Sequence, residues 1–75
     1  MDTLNALPRV HGDRLRRLRR EQFLSHRDLS RISGLSTTTI LKLEQERGGA
    51  RPSTVRRLAE ALGVEPGYLA EIGEE

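Results

Sequence analysis

The 75-residue chain carries 13 Lys and Arg against 11 Asp and Glu, contains no cysteine, and draws 35% of its residues from hydrophobic types. This length supports one small domain, and the missing cysteine excludes disulfide staples and thiolate metal sites. With Phe23 and Tyr68 as its aromatic residues, the core must be Leu, Ile, Val and Ala, held by capped helices around one apolar centre.

No apolar run approaches membrane-spanning length, which excludes a transmembrane helix. Residues 1–8 lack the apolar stretch of a secretory signal, so a cytoplasmic protein without membrane association is expected. The charge is unevenly spread. Residues 1–35 hold eight arginines against Asp2, Asp13, Glu21 and Asp28, whereas residues 60–75 hold Glu60, Glu65, Glu71, Glu74 and Glu75 with no Lys or Arg. A basic front and an acidic tail fit a polyanion partner at one end, and they also fit plain solvated helix faces.

In chain order, residues 1–8 show no period and are expected to form an arm or extension, with the domain occupying 9–75. The stretch from about Arg9 to Gln22 is predicted helical, with Leu15 and Leu18 one turn apart and Val10 before them. Gly12 blurs where that helix begins. Ser25 has the character of an N-cap, and Asp28 adds negative charge to the first turn. The helix from about His26 to Ile32 is predicted to turn Leu29 and Ile32 inward. Gly34 stands where a helix end needs a left-handed residue, and Leu35 plugs the turn.

Ser36 caps a helix running to about Gln45. At 100° per residue, Ile40 and Leu43 share one face, while Thr37, Thr38, Leu41, Lys42 and Gln45 share the other. Consecutive threonines are poor helix formers, so exposed Thr37 and Thr38 are an odd choice for stability alone. Leu41 faces away from the core, so its apolar side chain is expected to meet a binding partner. The segment 46–51, with Gly48-Gly49, is a loop. Pro52 opens a helix whose Val55, Leu58, Ala59 and Leu62 form the clearest amphipathic stripe in the chain. Gly63 ends it, and Pro66 opens a last short helix carrying Tyr68, Leu69 and Ile72. No strand pattern appears.

Helix, tight Gly-containing turn and helix, over about 25–45, is the helix-turn-helix arrangement. The chain resembles the Cro and lambda-repressor-like helix-turn-helix family, also called the xenobiotic-response-element family. The matching residues are Leu15-Arg16 with Leu18-Arg19, Leu24-Ser25-His26 with Leu29, Gly34-Leu35-Ser36 with Ile40, and Leu43-Glu44. They continue as Arg51-Pro52-Ser53 and Leu58-Ala59-Glu60-Ala61-Leu62-Gly63-Val64, so the match covers about residues 10–70. The resemblance implies an all-α, compact five-helix domain whose third helix reads the major groove.

It further implies that Thr37, Thr38 and Lys42 contact bases. Thr suits base edges and the thymine methyl, Lys42 suits guanine, and Gln45 on the same face suits adenine. Ser25, His26, Ser36, Arg47 and Arg51 are expected at phosphates, His26 standing where the family usually has Gln. An arginine of the first helix pairs with the glutamate ending the recognition helix, which points to Arg19 and Glu44 as a structural ion pair. Three places depart from the family: Phe23 stands where a small residue or Gly is usual, Ser30 where Ala is usual, and Gly48-Gly49 lengthens the loop. A Ser30 hydroxyl is expected to bond back within its own helix.

Most of the arginine run from Arg14 to Arg20 is expected to be a solvated face. His11 and His26 lack the neighbours of a metal site, and no nucleophile–base pair or phosphate loop suggests an enzyme or a cofactor. Two functions remain: a sequence-specific regulator of double-stranded DNA, most simply a repressor, or a protein-interaction module on the same fold, such as an antitoxin or anti-repressor. The polar face of Thr37, Thr38 and Lys42 favours the first. A homodimer is expected, because one short helix reads few base pairs, with Tyr68, Leu69 and Ile72 as its candidate surface; the competing reading is that Leu69 and Ile72 close the monomer's own core and DNA brings two copies together.

Overall fold

The computed structural model describes residues 7–46 and 48–71. It contains β1 (Arg9–Val10), α1 (Gly12–Glu21), α2 (His26–Ser33), α3 (Thr37–Glu44), α4 (Pro52–Leu62), α5 (Pro66–Leu69) and β2 (Ala70–Glu71). The five-helix architecture is the one expected. Leu15, Leu29, Ile40, Leu58 and Leu69, one from each helix, are fully buried at its centre. The stripe on α4 is buried throughout, at Val55, Leu58, Ala59 and Leu62. α1 packs on α3 and α5, α2 on α3 and α4, and α4 on α5.

Local chemistry sets the helix ends. The Ser25 side chain accepts from the Asp28 amide while the Asp28 carboxylate accepts from the Ser25 amide, a full capping box. Gly34, at φ 77°, ends α2 in the left-handed conformation that glycine adopts at no steric cost. The Ser36 hydroxyl accepts from the Thr39 amide and so caps α3. Pro52 and Pro66 stand in the first turns of α4 and α5, where a missing N–H costs nothing.

Four expectations need correction. Arg9 and Val10 are not helical. They pair antiparallel with Glu71 and Ala70, and Arg9 also bridges to Gly49. Strands of two residues are too short to give a period, and the pairing partners lie at opposite ends of the chain. Val10 is buried among core residues, and the domain's contacts reach back to Pro8, whose carbonyl accepts from the Ala50 amide. Ile32 is 55% exposed, because Leu29 and Ser33, one turn apart, form the buried line of α2 instead. The Ser30 hydroxyl donates across the turn to the Leu35 carbonyl rather than within α2. The last helix stops at Leu69, and Leu69 is wholly buried, so it closes this chain's own core and is not available to a second copy. Ile72 and Arg47 lie outside the described residues.

Phe23 is 93% exposed and sits at φ 57°, in the left-handed region between α1 and α2. This explains why a small residue or glycine suits the position. Phe23→Gly is expected to raise stability by about 0.5–1 kcal/mol, relief of about 1–2 kcal/mol of left-handed strain outweighing glycine's extra unfolded-state entropy. A urea midpoint that falls instead would show that the ring packs in solution. Among the described residues no helix is long and apolar enough to cross a membrane.

Candidate nucleic-acid interface

α3 is locked on one side and bare on the other. Ile40, Leu43 and Glu44 are buried, whereas Thr37, Thr38, Leu41, Lys42 and Gln45 are exposed together. Leu41 keeps 45% of its surface in solvent. The outward residues carry hydroxyl, amide and ammonium groups around one aliphatic side chain. This mixture suits base edges and thymine methyls better than it suits a dry protein interface.

Glu44 sits at the junction that fixes α3. Its side chain is only 1% exposed. Arg19 donates to it twice, from Nε to Oε2 at 2.6 Å and from Nη2 to Oε1 at 3.1 Å. The same guanidinium donates through Nη1 to the Leu24 carbonyl at 2.8 Å. One arginine of α1 thus ties the α1–α2 turn to the end of α3. Burial pushes the Glu44 carboxyl up, but hydrogen bonds from Arg19 and His26, with their charges, outweigh it and hold the group below its ordinary range. The group is therefore a carboxylate near neutral pH.

His26, the first residue of α2, lies with Nε2 3.0 Å from Glu44 Oε1 and keeps about a third of its side chain exposed (37%). Arg16 Nε approaches the same oxygen at 3.7 Å, with its side chain half in solvent. Arg16 is exposed, in keeping with a mostly solvated arginine run, while also reaching this glutamate. The signal for that reach is its spacing, one turn before Arg19 on α1.

The remaining first-turn groups are partly committed. The Ser25 amide is held by Asp28, so it is not free for an anion. The amides of His26 and Arg27 have no intrahelical acceptor. The Asp28 carboxyl is held below its ordinary range by the Ser25 amide first, then by the Ser25 hydroxyl, with Arg31 at 2.9 Å adding to the effect. Ser36 spends its hydroxyl on Thr39, accepting from the amide and donating to Oγ1. Arg51 is exposed at the start of α4 and, with Thr39, Lys42 and Thr54, lines a shallow groove along the edge of α3. Lys42 and Arg51 therefore flank one depression.

Other contacts tie α1 and its two ends to the C-terminal elements. Arg14 stacks over the Tyr68 ring with 4.9 Å to its centroid and donates to the Tyr68 carbonyl. Gln22 Nε2 donates to the Leu62 carbonyl at the end of α4. His11 lies 3.2 Å from Glu71. Among the described residues no group of His, Asp or Glu has the arrangement of a metal site.

Residues 12–72 match a family model described as a helix-turn-helix domain. The chain is 37% identical over 71 residues to the HTH-type transcriptional repressor RghR of Bacillus subtilis, covering 84% of this chain and 53% of that protein. It therefore spans about half the length of this curated relative. The fold is similar to that of the restriction-modification controller protein C.AhdI of Aeromonas hydrophila, with a TM-score of 0.70 and 34% identity over 73% of this chain and 83% of that one. The P22 c2 repressor, solved with a synthetic operator, has a TM-score of 0.74 at 24% identity, over 79% of this chain and 89% of its own. At that identity the likeness concerns the fold.

Proposed function

Because the chain belongs to the Cro/lambda-repressor-like helix-turn-helix family, we propose that it is a sequence-specific, double-stranded-DNA-binding transcriptional regulator, a repressor, that lays α3 in the major groove. The observation that carries this reading is the split of α3. Thr37, Thr38, Leu41, Lys42 and Gln45 are offered outward together, while Glu44 and the apolar residues beneath pin the helix to the core. Thr37 and Thr38 serve as hydroxyl partners for base edges, Lys42 for guanine, Gln45 for adenine and Leu41 for a thymine methyl. Phosphates are held by the Ser25 hydroxyl, by the backbone amides of His26 and Arg27 and the ring of His26, by the Ser36 amide, and by Arg51. The expected phosphate role of Arg47 lies outside the described residues. The RghR relative, named as a transcriptional repressor, supports the same reading.

One short helix reads few base pairs, so the protein acts as a homodimer on half-sites about one helical turn apart. With Leu69 committed to the monomer's core, Tyr68 is the exposed aromatic at the C-terminal end of the described residues. The protein works in the cytoplasm, where DNA is available to it. The polar face of α3 supports DNA over a protein partner as its principal ligand.

Selection of bound duplexes from random DNA is expected to return a defined, two-fold symmetric motif. On that duplex, Lys42→Ala is expected to weaken binding by about 1–3 kcal/mol, and Arg51→Ala to weaken binding to all sequences and flatten the salt dependence by about one unit. Unchanged affinity for Thr37→Ala, Thr38→Ala and Lys42→Ala alike would overturn the assignment of α3.

A further inference from the structure

We propose that His26 makes DNA binding proton-linked, because its contact with Glu44 leaves the ring able to donate to a phosphate only when the ring is doubly protonated. The inference rests on DNA being the ligand and concerns how that site is regulated.

His26 Nε2 lies 3.0 Å from Glu44 Oε1. An ionised carboxylate only accepts hydrogen bonds. Glu44 is kept ionised by the guanidinium of Arg19, so Nε2 must carry a hydrogen and donate it, whether the ring is neutral or charged. In the neutral ring the single N–H is therefore spent on Glu44, and Nδ1 is a bare lone pair. Nδ1 has no partner among the described residues, and the ring is partly exposed at the first position of α2. A lone pair offered to a phosphate oxygen repels it. Protonation adds a hydrogen at Nδ1 and one positive charge, turning the same position into a charge-assisted donor. A glutamine at this position would donate through its amide at any pH, so histidine makes a constant contact conditional.

The surroundings define which charges act on the ring. From α3 it faces Glu44. From α1, Arg19 and Arg16 reach the same carboxylate, at 2.6 Å and 3.7 Å. On α2 itself Asp28 is occupied by Ser25 and Arg31, and Arg27 is exposed beside it. α4 presents Arg57 to the far end of α2, at Gly34. Glu44 and Asp28 are both held in their charged forms, so neither changes charge across the range in which imidazoles titrate. A bound phosphate stabilises the imidazolium, so DNA binding tightens as pH falls through that range and the gain is lost as pH rises above it.

The test is the affinity of the full chain for a labelled mixed-sequence duplex at low salt, measured between about pH 5.5 and about pH 8. Wild type is expected to bind about five- to tenfold more tightly at the acidic end, tenfold being the effect of one pK unit of coupling. His26→Gln should lose most of this dependence, and His11→Gln, whose ring meets Glu71 rather than Glu44, should keep it. Nitrogen-15 spectra of the free protein above the titration should show His26 as the Nε2–H tautomer. Wild-type binding that is independent of pH, an equal pH dependence in His26→Gln, or an Nδ1–H tautomer would each overturn the inference while leaving DNA binding intact. No binding at any pH would instead overturn the DNA reading on which it rests.

Discussion

Removing either partner of the Arg19–Glu44 pair is expected to lower the unfolding free energy by about 3–5 kcal/mol, the cost of stranding one buried charge. The Glu44 side chain is 1% exposed and that of Arg19 is 9% exposed. In Arg19→Ala, Glu44 keeps only His26 and the distant Arg16, and the Leu24 carbonyl loses its donor. In Glu44→Ala, the Arg19 guanidinium stays in the interior without an anion. Removing both charges together, as Arg19→Met with Glu44→Leu, should destabilise far less than either single change, because no charge is then left uncompensated. The pair also carries a pH signature. The folded-state pKa of Glu44 is depressed, so its contribution is fully present above the unfolded value of about 4.3 and is lost as pH falls through the folded value. Urea melts are expected to show wild type weakening in acid and Glu44→Gln changing less. Single variants within about 0.5 kcal/mol of wild type would show that the pair is not structural.

Gly12→Ala is expected to destabilise the fold by about 3 kcal/mol, the upper end of what overpacking usually costs. α1 begins where α3 ends. A Cβ at Gly12 would lie 2.5 Å from the Leu43 carbonyl oxygen and 2.6 Å from that of Glu44. Both are backbone atoms, so the helices themselves would have to part. Elsewhere the sign should reverse. Gly67, on α5, has nothing within 4 Å of such a Cβ, and Gly67→Ala should be neutral or stabilise by up to about 1 kcal/mol. The close approach also sets the positive end of α1 against the negative end of α3, a favourable meeting of dipoles. A Gly12→Ala variant as stable as wild type would mean that this approach is looser in solution.

Gly12 also shows where sequence reading stopped. As a helix-weakening residue it made the start of α1 ambiguous, and the contact that requires it is with residues 43 and 44, beyond any local pattern. The short β1–β2 pairing was illegible for the same reason. The strands are too brief for a two-residue period, and their partners stand some sixty positions apart, at Arg9 and Glu71. Ile32 misled because spacing from Leu29 alone put it on the apolar line, while Ser33 occupies that line and Ile32 stays at the edge. What depended on local chemistry was readable. The caps at Ser25 and Ser36, the left-handed turns at Gly34 and Gly63, and the stripe on α4 follow from residue type and spacing. The outward set on α3 followed from the same periodicity. The tie from His26 to Glu44 did not, since it joins two helix ends that only the tertiary fold brings together.

The proposed function requires the outward face of α3 to meet the DNA. Titrating the nitrogen-15-labelled protein with its selected duplex tests it most directly. The amide signals of Thr37, Thr38, Leu41, Lys42 and Gln45, with those of His26 and Arg27 at the start of α2, should shift most, while those around Tyr68 and Gly63 should move little. Shifts centred on α4 and α5 with α3 unmoved would contradict it.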